Sequence, residues 1–322
     1  MNFKEIIDLI AQDMSDVNAM IYEQLTSEVM LVNKLINYIL SSGGKRIRPI
    51  VVLLSAKILN YKKQHITVAT LIEFIHMATL LHDDVVDQSV MRRGKLTTNI
   101  EFSNAASVLV GDFIYTKAFQ MMISLKSLRV LSLISEAVNV IAEGELLQLM
   151  NCNDPDISVE NYMQIIYRKT AKLFEVASQS SAILADANMR QELALRKYGC
   201  HLGISFQLID DLLDYVVDNQ KFGKNIGDDL NEGKLTLPLL HAMQHSTSIE
   251  GSLIRQAIER GNSQDSLDFV LGVMCQYGSL EYTRECARKE SDKAVACLSN
   301  FHPSPYRNAL ESLANLIVNR DK

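Results

Sequence analysis

The sequence predicts an all-α fold: a single large helical bundle around a deep central cavity. Apolar residues recur at spacings of three and four through "VNKLINYIL", "ATLIEFIHMATLLH" and "MQIIYRKTAKLFEVASQSSAIL", the period of a helix with one buried face. Sustained two-residue alternation, the mark of a half-buried strand, is hard to find. Only 14 glycines and 5 prolines occur, too few for a loop-rich β chain of 322 residues.

The elements follow from the breaks. Helix-stopping stretches stand at "SSGGKRIRP", "QSVMRRGKLTTN", "CNDPDIS", "DNQKFGKNIGDDLNEGKLT", "HSTSIEGS" and "HPSPY". Between them lie segments of roughly 15 to 30 residues, long for soluble helices. "LIEFIHMATLLHDDVVD" and "HLGISFQLIDDLLDYVV" are apolar nearly all round with polar residues at one end, so both belong in the middle of the bundle. No linker, fixed-period repeat or low-complexity segment divides the chain, and residues 1–322 are expected to form one domain.

Composition narrows the partners. Hydrophobic residues make up 48% and charged residues 22%, as in ordinary globular proteins. A net charge of −6 argues against nucleic acid as a main partner and leaves anion binding to local bases or metal ions. Five cysteines without CxxC spacing read as reduced thiols. The start "MNFKEIIDLIAQDM" has no apolar signal core, and no stretch approaches the ~18 consecutive apolar residues of a membrane span. The expectation is a cytoplasmic protein with no integral membrane segment.

Two acid clusters carry the chemistry. Asp83, Asp84 and Asp87 in "DDVVD" share the DDxxD spacing of Asp210, Asp211 and Asp214 in "DDLLD", and each cluster follows an apolar run. On a helix, positions i and i+4 share a face, so Asp83 aligns with Asp87 and Asp210 with Asp214. Paired carboxylates at the edge of a core repel each other and resist ionisation. Mg²⁺ resolves this, because it takes oxygen ligands and shares one or two carboxylates with substrate phosphates. One DDxxD alone is weak, since aspartates cap helices and decorate solvated faces. Two copies at the ends of two apolar helices are hard to read as surface charge.

"GGKRIRP" supplies Lys45, Arg46 and Arg48 beside Gly43 and Gly44, with Pro49 in the first turn of the next helix. Glycines admit a ligand close to the backbone, and a guanidinium fork suits phosphate oxygens. The plain alternative is a helix start with solvated bases. Together these pieces resemble the all-trans prenyl diphosphate synthases, closest to the bacterial octaprenyl diphosphate synthase type. The resemblance runs from about Gly43 to Pro238 through GGKRIRP, His76, "MRRGK", "LVGDF", "RKTAKLF", "FQLIDDLLDY" and "GKNIGDDLNEGKLTLPLL".

What the resemblance implies can be placed on this chain. Asp83, Asp87 and Asp210 match metal ligands, with Asp84, Asp211, Asp214 and Lys169 completing the catalytic set and Mg²⁺, three ions per site, as cofactor. Isopentenyl diphosphate is held by residues matching Lys45, Arg48, His76 and Arg93. The allylic diphosphate is held by residues matching Arg92, Lys169, Thr170, Gln207 and Lys224, with Lys234 at the same diphosphate or in loop closure. A homodimer is implied. Core packing is the ordinary alternative for His76, and the basic tail "NRDK" reads as solvated rather than as a cover for the site mouth. The allylic C–O bond ionises, the C=C of isopentenyl diphosphate attacks, and released diphosphate takes the proton.

Each cycle adds five carbons, and the tail should run beneath Asp83 past Thr79 and Ala78, both small where short-chain relatives often carry aromatics. The first motif also lacks the insertion found in some short-chain relatives. A deeper floor could be set by Phe119, Met121 or Met122, for which core packing is the alternative. The expected product is long, of the kind that supplies quinone side chains. The competing readings are a farnesyl or geranylgeranyl diphosphate synthase and a noncatalytic partner subunit. A cyclising terpene synthase fits less well, since its second motif is of the NSE type and it lacks GGKRIRP.

Overall fold

A computed structural model describes residues 1–216, 226–260 and 264–320. Among these the chain forms α1 (Phe3–Leu9), α2 (Ala11–Leu25), α3 (Met30–Ser41), α4 (Ile47–Ile58) and α5 (His65–Val86). A two-stranded hairpin follows, β1 (Met91–Arg92) and β2 (Lys95–Leu96), then α6 (Thr98–Glu101), α7 (Asn104–Ser124) and α8 (Leu128–Met150). A single helical run holds α9 (Val159–Ile166), a π-helical turn (Tyr167–Ala171) and α10 (Lys172–Leu184). The rest is α11 (Met189–Leu213), α12 (Asp228–Asn231), α13 (Leu237–His245), α14 (Ser248–Arg260), α15 (Gln264–Gln276), α16 (Ser279–Cys297) and α17 (Pro305–Val318).

Helix starts fall where short polar side chains can satisfy the free N–H groups of the first turn. Asn2 and Glu5 form a capping box, and Ser158, Asn188 and Ser304 each accept a backbone N–H three residues on. Such a cap contributes about 1 kcal/mol.

Helix α5 packs against α2, α4, α7 and α10, which explains its apolar character on every side. It is long and apolar enough to cross a membrane by length and composition alone. However, 67% of its apolar window is buried inside the fold. The larger core gathers α1–α5, α7, α8, α10 and the first half of α11, with α17 closing it. A second core joins α9, the last turns of α11 and α13–α16. Buried hydroxyls tie the layers: Ser181 Oγ donates to Val52 O (3.0 Å), Tyr198 OH to Leu310 O (2.8 Å) and Ser205 Oγ to Ala287 O (2.9 Å).

Two departures from the sequence expectation matter for the site. "MRRGK" is a hairpin: Arg93 (φ 52) and Gly94 (φ 74) are both left-handed, as a two-residue primed turn demands. "MQIIYRKTAKLFEVASQSSAIL" is interrupted by the π turn because its two ends serve different cores. Tyr162, Ile165 and Ile166 face the second core, while Phe174, Val176 and Ala177 face the first.

Helices α10 and α11 approach closely. A Cβ at Gly199 would stand 2.3 Å from Phe174 O, whereas one at Gly272 in α15 meets nothing within 4 Å. Gly199→Ala is therefore expected to destabilise the fold by about 1–3 kcal/mol, and Gly272→Ala to stabilise it by about 0.5–1 kcal/mol. Thermal unfolding of the two variants checks both signs.

Candidate active site

Both acid motifs close the last turn of a long helix. The Asp87 N–H donates to Asp83 O at the end of α5, and the Asp214 N–H donates to Asp210 O at the end of α11. The middle aspartate of each motif turns inward. Asp84 is 4% exposed and accepts Arg92 Nε at 2.7 Å. Asp211 is likewise 4% exposed and accepts Tyr162 OH at 2.5 Å and Gln207 Nε2 at 2.6 Å. Burial raises the pKa of Asp83 and Asp84 against the pull of Lys169 and Arg92 respectively. Burial, then Asp229, pushes Asp211 up to about 7.

Cations from other segments neutralise these ends. Lys234 Nζ reaches Asp87 Oδ2 at 2.8 Å and Glu232 Oε2 at 2.7 Å. Lys169 Nζ lies 2.6 Å from Glu145 Oε2 and 4.0 Å from Asp83 Oδ2. Although burial works against its charge, Asp83 and Glu145 raise the pKa of Lys169. Lys169, Thr170, Gln207, Asp211, Asp229 and Lys234 line one cavity of about 130 Å³. Thus the lysines bound to the first motif share a cavity with the second. Thr170 Oγ1 donates to Gln207 Oε1 at 2.8 Å, continuing to Asp211.

The basic half is assembled by the glycine loop and the hairpin. Arg93 donates to Gly43 O, and a Cβ at Gly44 (φ 156) would stand 2.7 Å from its guanidinium. Only glycine lets the loop lie against Arg93 in this way. Arg48 Nη1 lies 3.1 Å from His76 Nε2 and its guanidinium stacks 4.5 Å above the Phe174 ring. Burial, then Arg48, Arg93, Arg92 and Arg46, hold the His76 pKa well below its ordinary value. A neutral ring accepts at Nε2 and so fixes the fork of Arg48. Lys45 lines a neighbouring cavity with Phe206 and Arg320.

The structure thus brings Lys169, Thr170, Gln207, Asp211 and Lys234 around one cavity and ties Asp83 and Asp87 to it through the two lysines, while Asp84, Arg92 and Arg93 line a separate cavity. Asp210 is paired to Arg320, while Asp214 accepts the Asp229 N–H at 3.1 Å. Lys224 falls outside the described residues. Ala78 is fully buried below Asp83, and the Thr79 hydroxyl donates to His76 O at 3.0 Å, which ties up its polar group. Met121 and Met122 are buried in the larger core.

Phe119 differs from the two methionines in exposure. It is 39% exposed on α7 and stacks on Tyr115, which in turn stacks on His82 of α5. Arg320 of the tail is a correction: it is paired with Asp210 and packs 4.9 Å over the Phe206 ring instead of being solvated. Sequence reasoning also missed Glu145, Tyr162 and Asp229. Only Asp229 carried a signal, the extra acid pair in "GDDLNEG".

The donor set fits a hard divalent cation. Asp83, Asp87 and Asp210 offer oxygen alone, at the negative ends of two helix dipoles where added positive charge is favoured. Among the described residues no three His, Cys, Asp or Glu side chains converge as a ready cage. That suits Mg²⁺, which binds through one or two carboxylates and completes its shell with phosphate and water.

Lys234→Gln should leave Asp87 without its ammonium partner and lower stability in EDTA by about 1–3 kcal/mol. Millimolar Mg²⁺ should then raise its thermal midpoint more than that of the parent protein. Equal midpoints in EDTA would show that the bridge carries no weight.

Comparison with known proteins shows the family of the chain. Residues 29–273 match the polyprenyl synthetase family. The octaprenyl diphosphate synthase of Escherichia coli (strain K12) is 60% identical over 323 residues, covering 100% of both chains. A polyprenyl synthase from Caulobacter crescentus CB15, complexed with calcium and isoprenyl diphosphate, superposes with a TM-score of 0.96. It is 39% identical, over 100% of this chain and 98% of that one. A geranylgeranyl pyrophosphate synthetase from Pyrococcus horikoshii Ot3 gives 0.91 at 30% identity, over 99% and 100%. The fold is therefore shared by synthases of different product length, and the chain belongs to the polyprenyl synthetase family as a trans-prenyltransferase.

Proposed function

We propose that this enzyme is a long-chain all-trans polyprenyl diphosphate synthase that adds isopentenyl diphosphate repeatedly to an allylic diphosphate, with farnesyl diphosphate as primer. The product is of the octaprenyl type and serves quinone side chains. The observation that carries this reading is the reach of Lys234 from the loop after the second acid motif to Asp87 of the first. It joins the first carboxylate cluster to the lysine-lined cavity that holds Asp211 of the second. Identity to octaprenyl diphosphate synthases supports the chain length.

In this reading Asp83, Asp87 and Asp210 hold three Mg²⁺, which supply positive charge against the departing diphosphate. Asp84, Asp211 and Asp214 keep those carboxylates in place. Arg92, Lys169, Thr170, Gln207, Lys224 and Lys234 grip the allylic diphosphate, while Lys45, Arg48, His76 and Arg93 grip isopentenyl diphosphate. Because Arg92 precedes the tight turn and Arg93 stands within it, one points to Asp84 and the other to the glycine loop. Adjacent residues can thereby serve two diphosphates. As the allylic C–O bond breaks, the C=C of isopentenyl diphosphate adds to the allylic carbon. The proton then lost passes to the freed diphosphate. Buried walls such as Ala78 keep water from the cation.

The molecule acts as one domain, in the cytoplasm, as a homodimer. An apolar face on α7 and α8 with Leu109, Ile123, Leu128, Leu146 and Met150 exposed supports the dimer.

Farnesyl diphosphate, labelled isopentenyl diphosphate and Mg²⁺ should yield a single long product, absent with EDTA and with Asp83→Ala. Ala78→Phe should shorten it. A short product from the parent protein would remove the argument from Ala78 and Thr79, and no product from folded protein would favour a noncatalytic subunit. Arg48→Gln and Arg93→Gln should raise KM for isopentenyl diphosphate about tenfold or more.

The lowered pKa of His76 predicts a neutral ring throughout the working range. His76→Gln should therefore leave the shape of the kcat/KM profile for isopentenyl diphosphate unchanged between about pH 6 and 8. Loss of a step near the ordinary histidine value of about 6.5 would contradict this.

A further inference from the structure

We infer that Tyr167 and Glu175 form a register lock for the π-helical turn, a positioning pair that aims Lys169 and Thr170 at the allylic diphosphate. The inference rests on the reading of those two residues given above. Tyr167 OH donates to Glu175 Oε2 at 3.1 Å, from the first residue of the turn to the fourth residue of α10. In an uninterrupted α-helix each residue advances by about 100°, so residues eight apart would sit about 80° apart around the axis. The π turn absorbs one residue. The pair then behaves as if seven apart, about 20° from alignment, and the two side chains meet on one face. The bond is thus matched to the π register.

Glu175 is itself immobilised. It is 2% exposed, and its other oxygen accepts Lys172 Nζ at 2.9 Å and Arg196 Nε at 3.2 Å. Burial and the neighbouring Glu175 push the Tyr167 pKa up to about 12, so the phenol stays a donor. The turn is also given room on two sides. A Cβ at Gly144 of α8 would stand 2.8 Å from Arg168 Cβ, and one at Gly203 of α11 would stand 2.5 Å from Ala171 Cα.

The register has consequences at both ends. Upstream, Tyr162 bonds Asp211, and downstream, Phe174 lies beneath Arg48. Between them, Lys169 meets Glu145 and Thr170 meets Gln207. Reversion to a plain α-helix would slip the segment by one residue, and the ends could not both keep their partners. π turns are rare, appear mostly as single-turn bulges inside α-helices, and frequently mark functional sites.

The test measures KM for each substrate, kcat and amide exchange at residues 167–171 in Tyr167→Phe, Glu175→Gln, the double variant and Lys169→Ala. Tyr167→Phe should raise KM for the allylic diphosphate about three- to tenfold, as loss of one hydrogen bond allows, and speed exchange in the turn. KM for isopentenyl diphosphate should rise less, because Arg48 is held by His76 as well as by Phe174. In the Glu175→Gln background the same substitution should have a smaller effect, since coupled residues are not additive. If Lys169→Ala weakens the allylic substrate and Tyr167→Phe does not, the lock is overturned while the assignment of Lys169 stands. If Lys169→Ala leaves that KM unchanged, the assignment fails and the lock with it. Equal rises in both KM values would mark a general structural defect and overturn the proposal.

Discussion

The arrangement depends on an electrostatic conflict built into two central helices. Helices α5 and α11 each end in a carboxylate cluster, at the pole where the backbone dipole is already negative and the surroundings are largely apolar. Burial, reinforced by neighbouring aspartates, shifts the pKa of Asp83, Asp84 and Asp211 upward. Such ends persist only if positive charge is supplied from elsewhere. Lys234, Lys169, Arg92 and Arg320 supply it, each from a different segment. The mouth of the bundle is organised by that need.

The two motifs divide the work alike. In each, the second aspartate is buried and its oxygens are engaged by the protein, by Arg92 in one case and by Tyr162 with Gln207 in the other. These residues anchor the helix end against its surroundings. The first and fifth positions of the first motif, and the first of the second, keep only exchangeable partners. A carboxylate meant for a metal has to be held in direction yet free at its oxygen, and one buried neighbour per motif achieves this.

Much of this was legible in the sequence, for definable reasons. Helix period and repeated DDxxD spacing are local properties and mark Asp83 and Asp87, whereas Lys169, Thr170, Gln207 and Lys234 were reached only through the family resemblance. What escaped depends on phase or on distant partners. Nothing in "IIYRKTAKLF" announces an extra residue per turn, because the pattern looks helical on either side of the break. Arg93 at positive φ was hidden because left-handed backbone is ordinarily signalled by glycine or asparagine, and here only Gly94 gave the hint. Glu145 and Arg320 acquire meaning only through the side chains they reach.

The division between rigid and adaptable parts accounts for the placement of the charges. Mg²⁺ tolerates little deviation from octahedral geometry, so oxygen ligands belong on elements that do not move, and all three candidate ligands sit on the final turns of buried helices. Diphosphates arrive, react and leave, so many of their bases belong where the chain can adjust. Lys45 precedes α4 behind two glycines, Arg92 and Arg93 stand at a hairpin turn, and Lys234 follows a short helix. Lys169 and Thr170 are the exception, since they lie within a helical run. The π turn gives them the phase that a regular helix would deny, and the buried Glu175 beside it keeps that phase fixed.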